Sequence, residues 1–179
     1  MTAETLHSET QWFRKTTWLF AVLLIWLFML VGSIYGLYTQ LVLQIPFGNR
    51  AMSDTMLIIT TFFAVSVSTV MLIFFLVARL ETIIRADGVY FRFVPLLNKF
   101  KMLKAVDIVS CETLQYRPIR DFGGWGIRYN RKQNTYCYNV RGNLGVLLHL
   151  QNGKKILFGS QDPHKLKTAI DKLTGVIRI

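Results

Sequence analysis

The sequence predicts an α+β membrane protein, a two-helix transmembrane hairpin followed by an antiparallel β domain that ends in one α-helix. Three observations carry that prediction. Residues 16–78 hold only two formal charges, Arg50 and Asp54, and these lie in a short polar break at 46–54. Downstream of Leu80 the pattern turns to short alternating runs between turn residues, and the last apolar stripe has helical spacing. The 179-residue chain is 52% hydrophobic with a mean hydropathy of +0.35, which favours a membrane class over a soluble one.

Residues 1–10 are polar and carry no fold signal. Gln11-Trp12-Phe13-Arg14-Lys15 then sets aromatics and cations before the first span, as at a headgroup boundary. Residues 1–15 are therefore expected to form a cytoplasmic or interfacial N-terminus. The following apolar run outlasts a signal-peptide core of about 7–15 residues, so the segment is expected to be retained.

The hairpin is assigned to 16–78, with spans at about 18–43 and 55–78 and an outer loop at 45–54. Each span exceeds the roughly 20 residues that a bilayer requires. Gly32 and Gly36 on the first span and Ala64 and Ser68 on the second are small enough for close helix approach. They are expected to face each other within one chain, the alternative being a dimerisation face. Neither span has an ionisable group in its interior, which argues against a pump or transporter built from these helices alone.

The formal net charge is +11, and all of the excess lies in 79–179, where 18 Lys and Arg oppose 7 Asp and Glu. Such a domain is drawn to an anionic surface. Beside a membrane that surface is anionic lipid headgroups, each basic residue contributing about 1 kcal/mol. No nucleic-acid motif is present, and no nucleic acid is expected as a partner. The membrane-surface candidates are Arg14, Lys15, Arg79, Lys99, Lys101 and Lys104. The stretch 99–104 suits a strand lying on headgroups, and equally an edge strand protected by lysines. Arg14 and Lys15 before the first span, with Arg79 and Arg85 after the second, place both termini in the cytoplasm. Cys111 and Cys137 are too few for a disulfide framework and lack metal spacing, so both are read as reduced packing residues.

The β domain is assigned to 79–179. Runs at 81–85 and 89–94 flank Asp87-Gly88, a tight hairpin signal. Further runs occupy 100–103, 108–116, 126–129 and 135–140. A second hairpin, 145–150 with 154–158, turns at Gln151-Asn152-Gly153. In its first strand Val146, Leu148 and Leu150 are expected to face inward, with Leu147 and His149 on the other face. Asp162 then caps a helix with Pro163 as its first residue. Leu166, Ala169, Ile170 and Leu173 form its apolar stripe, and Gly175 ends it. A curved sheet or partly open barrel closed by this helix would bury both patterns.

Residues 46–54, 122–128 and 152–160, taken in order with the hairpin, resemble bacterial membrane proteins that carry a pleckstrin-homology-like (PH-like) domain after two transmembrane helices. The resemblance implies an antiparallel β-barrel or sandwich of about seven strands with one C-terminal helix. It further implies the bacterial inner membrane as location, and a family without established enzymatic activity.

The most unusual local sequence is Gly123-Gly124-Trp125-Gly126, surrounded by Arg117, Arg120 and Arg128. One reading is a loop whose backbone and arginines receive an anionic ligand or acidic peptide. The other is structural, with Trp125 plugging the end of the barrel, the glycines allowing a bulge and Arg128 pairing with Asp121. His149 and His164 lie in no nucleophile or metal motif. No catalytic residue, cofactor or metal is expected. The expected function is non-enzymatic: a basic domain presented at the cytoplasmic face for a protein partner or anionic lipid, scaffolding a membrane assembly. The alternatives are a transport or envelope-maintenance subunit docking through its hairpin, a homo-oligomer, and a membrane-bound enzyme whose site assembles only in three dimensions.

Overall fold

The computed structural model describes residues 4–17, 19–48 and 51–175. They form two compact units, one of Arg14–Leu76 and one of Met1–Phe13 with Val77–Ile179.

The first unit is a pair of long apolar helices. Helix α1 (Leu19–Leu37) continues through a π-helical turn at Tyr38–Val42, and helix α2 spans Asp54–Val77. Each apolar stretch has 24 residues, roughly 36 Å of rise and enough to cross a bilayer core. Trp26 Nε1 donates to Thr69 Oγ1 at 3.1 Å, linking the helices. Gln40 organises the break between them. Its Nε2 donates to Met52 O at 2.8 Å and to Asp54 Oδ1 at 2.7 Å, and its Oε1 accepts from Phe47 N at 3.3 Å. Arg50 lies outside the described residues.

The small-residue ridge differs from expectation. Gly36 is buried, but a Cβ there would meet the Phe47 ring at 3.0 Å, so the loop and not α2 occupies that space. A Cβ on Gly32 would meet nothing within 4 Å. Ala64 and Ser68 are half-buried, and Ser68 Oγ donates to Val65 O within its own helix.

The second unit packs two sheets. The first is an antiparallel meander of β1 (Thr5–Trp12), β2 (Arg79–Arg85), β3 (Gly88–Val94) and β4 (Leu97–Lys104). The second contains β5 (Ile108–Gln115), β6 (Gly126–Asn130), β7 (Thr135–Asn139), β8 (Leu144–Leu150) and β9 (Lys155–Gly159), in the order β5-β8-β9-β7-β6. A short helix α3 (Pro118–Phe122) follows β5, and α4 (Pro163–Leu173) follows β9. About seven strands were expected in 79–179; among the described residues eight lie there, and a ninth, β1, precedes the apolar helices. Strands β7 and β9 run parallel, against the all-antiparallel expectation. Among the described residues the two sheets do not join into a closed barrel.

The largest departure is β1. The segment without a fold signal is an edge strand, with Gln11 opposite Leu80, Glu9 opposite Thr82 and His7 opposite Ile84. Its inward positions are polar, and two of them, Glu9 and Gln11, meet backbone and hydroxyl groups at the end of β9. Gln11 Nε2 donates to Gly159 O at 2.5 Å, while Glu9 accepts from Ser160 Oγ at 2.6 Å and from Gln161 N at 2.8 Å. The β unit therefore begins before the apolar hairpin, which is inserted between its first and second strands. Phe13 N donates to Ala78 O at 3.0 Å where the chain leaves and re-enters this unit.

Between the sheets lie Leu80, Ile84, Val89 and Phe93 from the first and Val146, Leu148, Ile156 and Phe158 from the second, with Leu166 and Ile170 of α4. The Phe91 ring stands 4.8 Å from Tyr138 and 4.9 Å from Phe158. Leu147 lies on the other face of β8, as expected, and is buried there with Tyr116, Cys137 and Leu157 in a second apolar cluster. Phe122 of α3 packs against it, so this short helix helps cover that face. Helix α4 begins as expected, with Asp162 accepting from Lys165 N at 3.1 Å.

Two carboxylates tie this unit's stability to pH. Glu81 lies 2.5 Å from Arg79 and 2.7 Å from Arg92, and Asp171 lies 2.5 Å from Lys167 and accepts from Cys111 Sγ at 3.1 Å. Burial raises each pKa, but the hydrogen bonds and opposite charges outweigh it, leaving both below their ordinary values of 4.5 and 3.8. A depressed folded pKa contributes stability above the unfolded value, and that stability is lost as pH falls through the folded one. The thermal midpoint is expected to fall as pH drops below these ordinary values, with a shallower fall in Glu81→Gln. Parallel melting curves for the two proteins down to pH 3 would refute the assignment to Glu81.

Candidate functional site

The glycine–tryptophan loop is held mainly by its own hydrogen bonds. Gly123, Gly124 and Gly126 have φ of 72°, 124° and 108°, a region that glycine enters without strain. Gly123 N donates to Ile119 O and Gly124 N to Pro118 O, both at 2.9 Å. Gly126 N donates to Asn139 Oδ1 at 2.9 Å, and Asn139 Nδ2 donates to Tyr116 Oη at 3.1 Å. These three amides are therefore already engaged and do not form an open cradle for an anion. Trp125 Nε1 donates to Gly142 O at 3.2 Å.

Arg128 Nε donates to Trp125 O at 3.2 Å. Asp121 instead accepts from Arg117 N at 2.8 Å and faces Arg120 Nε at 3.8 Å. The expected Arg128–Asp121 pair is thus replaced, because α3 turns Asp121 back toward its own first turn. Arg117, Arg120 and Arg128 are exposed around this loop. Asn139 is fully buried and organises the loop from β7. An amide inside the apolar run Tyr138-Asn139-Val140 was the available signal for it.

The outward face of the four-stranded sheet has a different character. The Arg79 guanidinium lies over the Trp12 ring at 4.7 Å, Arg92 over Phe100 at 4.5 Å and Arg85 over Tyr90 at 5.1 Å. Such stacking is worth about 0.5–1 kcal/mol at exposed sites. Glu81 bridges Arg79 and Arg92, fixing two of these cations. Alternation along β4 puts Phe100, Met102 and Lys104 on this face and Lys99 and Lys101 on the opposite one. Lys101 lines a cavity of 330 Å³ between the sheets, with Phe91, Tyr136, Tyr138 and Lys154. The sequence-derived surface set therefore divides. Arg79 and Lys104 share the aromatic face, Lys99 and Lys101 point the other way, and Arg14 and Lys15 are exposed in the single turn Phe13–Lys15.

His149 Nε2 lies 3.2 Å from Glu112 Oε1 across β5 and β8, and His164 is exposed in the first turn of α4. Burial, with a hydrogen bond to Asp171, pushes the Cys111 thiol up to about 12, and burial alone pushes Cys137 up to about 12. Both thiols are therefore protonated packing groups at neutral pH. Among the described residues no group of three or more His, Cys, Asp or Glu side chains could hold a metal ion.

A family model matches residues 2–176. The chain belongs to DUF6141, a family of unknown function. The DUF6141 match runs through β1, both apolar helices and the rest of the β unit, so the inserted hairpin lies inside the family's own extent. No curated protein and no solved structure matches the chain.

Proposed function

We propose that this protein is a non-enzymatic, two-span protein of the bacterial inner membrane that holds a basic PH-like domain against anionic lipid at the cytoplasmic face. The observation that carries this reading is the outward face of the four-stranded sheet. Trp12, Tyr90 and Phe100 bear stacked arginines there, and Trp12 and Arg79 sit opposite each other where the chain passes to and from the apolar helices. Amphipathic aromatics beside arginines suit a headgroup layer, where rings enter the interface and cations meet phosphates.

Further support comes from connection and charge. Ala78 alone separates α2 from β2, a reach of about 3.5 Å per residue. The β unit carries 18 Lys and Arg against the seven acids downstream of residue 78 plus Glu4 and Glu9. With the β6–β7 hairpin set aside, seven strands and a C-terminal helix remain, the series that a PH-like domain calls for.

The test uses the full chain in nanodiscs of neutral lipid, or of the same lipid with phosphatidylglycerol, followed by hydrogen exchange. Exchange in β2–β4 should slow in the anionic discs at low salt, and the difference should shrink as salt rises. Lys104→Glu should weaken the effect by about 1–2 kcal/mol. Equal exchange in both discs would defeat the lipid reading. Protection of the same strands only when a native-membrane protein copurifies would assign this face to a protein partner.

A further inference from the structure

The β3–β4 turn differs in chemistry from its neighbours. Ala86-Asp87, the stretch 131–134 and Gln151-Asn152-Gly153 join β2–β3, β6–β7 and β8–β9, each with polar or charged side chains. Such residues are what turns in water favour. Between β3 and β4 the tip is Pro95-Leu96, and Leu96 is 60% exposed. A large apolar side chain is held outward where a polar one would serve the turn as well.

The strand register fixes where that side chain lies. Trp12 is opposite Arg79 and Arg79 is opposite Val94, so one row crosses three strands. One step further out Phe13 N donates to Ala78 O, and α2 has ended at Val77. Val77 and Ala78 belong to the β unit. Because β3 runs antiparallel to β2, the residues after Val94 advance in the direction that leads back through Ala78 to Val77. Strand spacings of about 4.8 Å and rises of about 3.3 Å put Leu96 within roughly 10 Å of Ala78.

Exposure alone does not single out Leu96. Val106 is 70% exposed, but it follows Lys104, which is opposite Gly88 at the other end of β3. Six strand steps, about 20 Å, separate the two ends. The polar layer on each side of a bilayer is only about 5–8 Å thick, so the end beside Ala78 is the one within reach of lipid chains.

We propose that the β3–β4 turn dips into the bilayer interface, with Leu96 among lipid acyl chains beside the end of the second span. The partner is bilayer lipid, recognised by its chains and not by its charge. Pro95 brings no N–H to the segment that leaves water. Arg79, over the Trp12 ring, and the exposed Lys99 then lie at headgroup level. Insertion of this turn requires the two spans and rests on that reading, but not on contact between the sheet face and anionic headgroups.

The test uses the full chain in nanodiscs of neutral lipid, with photoleucine replacing Phe28, Leu96 or Val106, one at a time. Phe28, 80% exposed within α1, reports whether the spans lie in the bilayer. Photoleucine differs little from leucine in shape, and position 96 is an exposed turn, so the fold is kept. After irradiation, mass spectrometry measures adducts on lipid acyl chains. Burying the exposed part of a leucine corresponds to about tenfold in partition, so position 96 should carry about tenfold more chain adduct than position 106. High salt should leave that ratio unchanged, since no charge holds the turn. Chain adducts at 28 but none at 96, equal yields at 96 and 106, or a signal at 96 that high salt abolishes would overturn the proposal. Absence of chain adducts at 28 would instead remove the two-span reading, and the proposal with it.

Discussion

Removal of residues 4–12 is expected to leave the β unit without a cooperative thermal transition. Those residues supply the ladder to β2, from Thr5 opposite Arg85 to Trp12 opposite Arg79, and the polar clamp on Gly159, Ser160 and Gln161. A domain of this size is stable by only about 5–15 kcal/mol, so losing a strand removes a large share. A single substitution tests the clamp alone. In Glu9→Ala the acceptor of Ser160 Oγ and Gln161 N is lost, and hydrogen bonds to a charged group are worth about 1.5–3 kcal/mol each. We expect a loss of about 3 kcal/mol, with Glu9→Gln losing less because it keeps one acceptor. Near-UV circular dichroism of the full chain in nanodiscs reads both. A change below about 0.5 kcal/mol in Glu9→Ala would place that carboxylate among ordinary surface groups.

The second large effect is expected at Phe158. Its ring is fully buried, 4.9 Å from Phe91 and 5.8 Å from Tyr138, where the two sheets meet. Phe158→Ala should cost about 3–5 kcal/mol, the lost transfer energy plus an incompletely collapsed cavity. Val109 lies on β5 and is 63% exposed, so Val109→Ala should stay within about 0.5 kcal/mol. Similar melting curves for the two variants would mean that the sheets do not pack through the Phe158 ring.

Much of the fold was legible where local chemistry and tertiary role agree. Asn152-Gly153 turns its hairpin with Gly153 at φ 74°, and Asp162-Pro163 opens α4. The first hairpin instead turns at Ala86-Asp87, with Gly88 already in β3 opposite Arg85 and without positive φ. The apolar helices were legible from length alone. Strand β1 was not, because its inward positions His7, Glu9 and Gln11 are polar, Glu9 and Gln11 being held by hydrogen bonds at the end of β9, and so leave no apolar alternation to read. Helix α3 is too short for periodicity, and without it Leu147 looks solvent-facing. The arginines around Trp125 were found by composition. That Arg128 would bond the Trp125 carbonyl and Asp121 the start of its own helix depends on α3 and the loop after it, which composition does not show. The stacked cations were only half visible, since Trp12 and Arg79 are far apart in sequence and meet across a ladder.

The ladder between β1 and β2 also sets a rule of parity. Its two strands flank the whole helical hairpin, so both ends of that hairpin must return to one place before the sheet can close. Any barrier the hairpin enters must be crossed an even number of times, or not at all. Synthesis adds an order to this rule. β1 leaves the ribosome first yet stays unpaired until β2 follows the second helix. Closure of the sheet is then a built-in check that the hairpin has come back to the side from which it started.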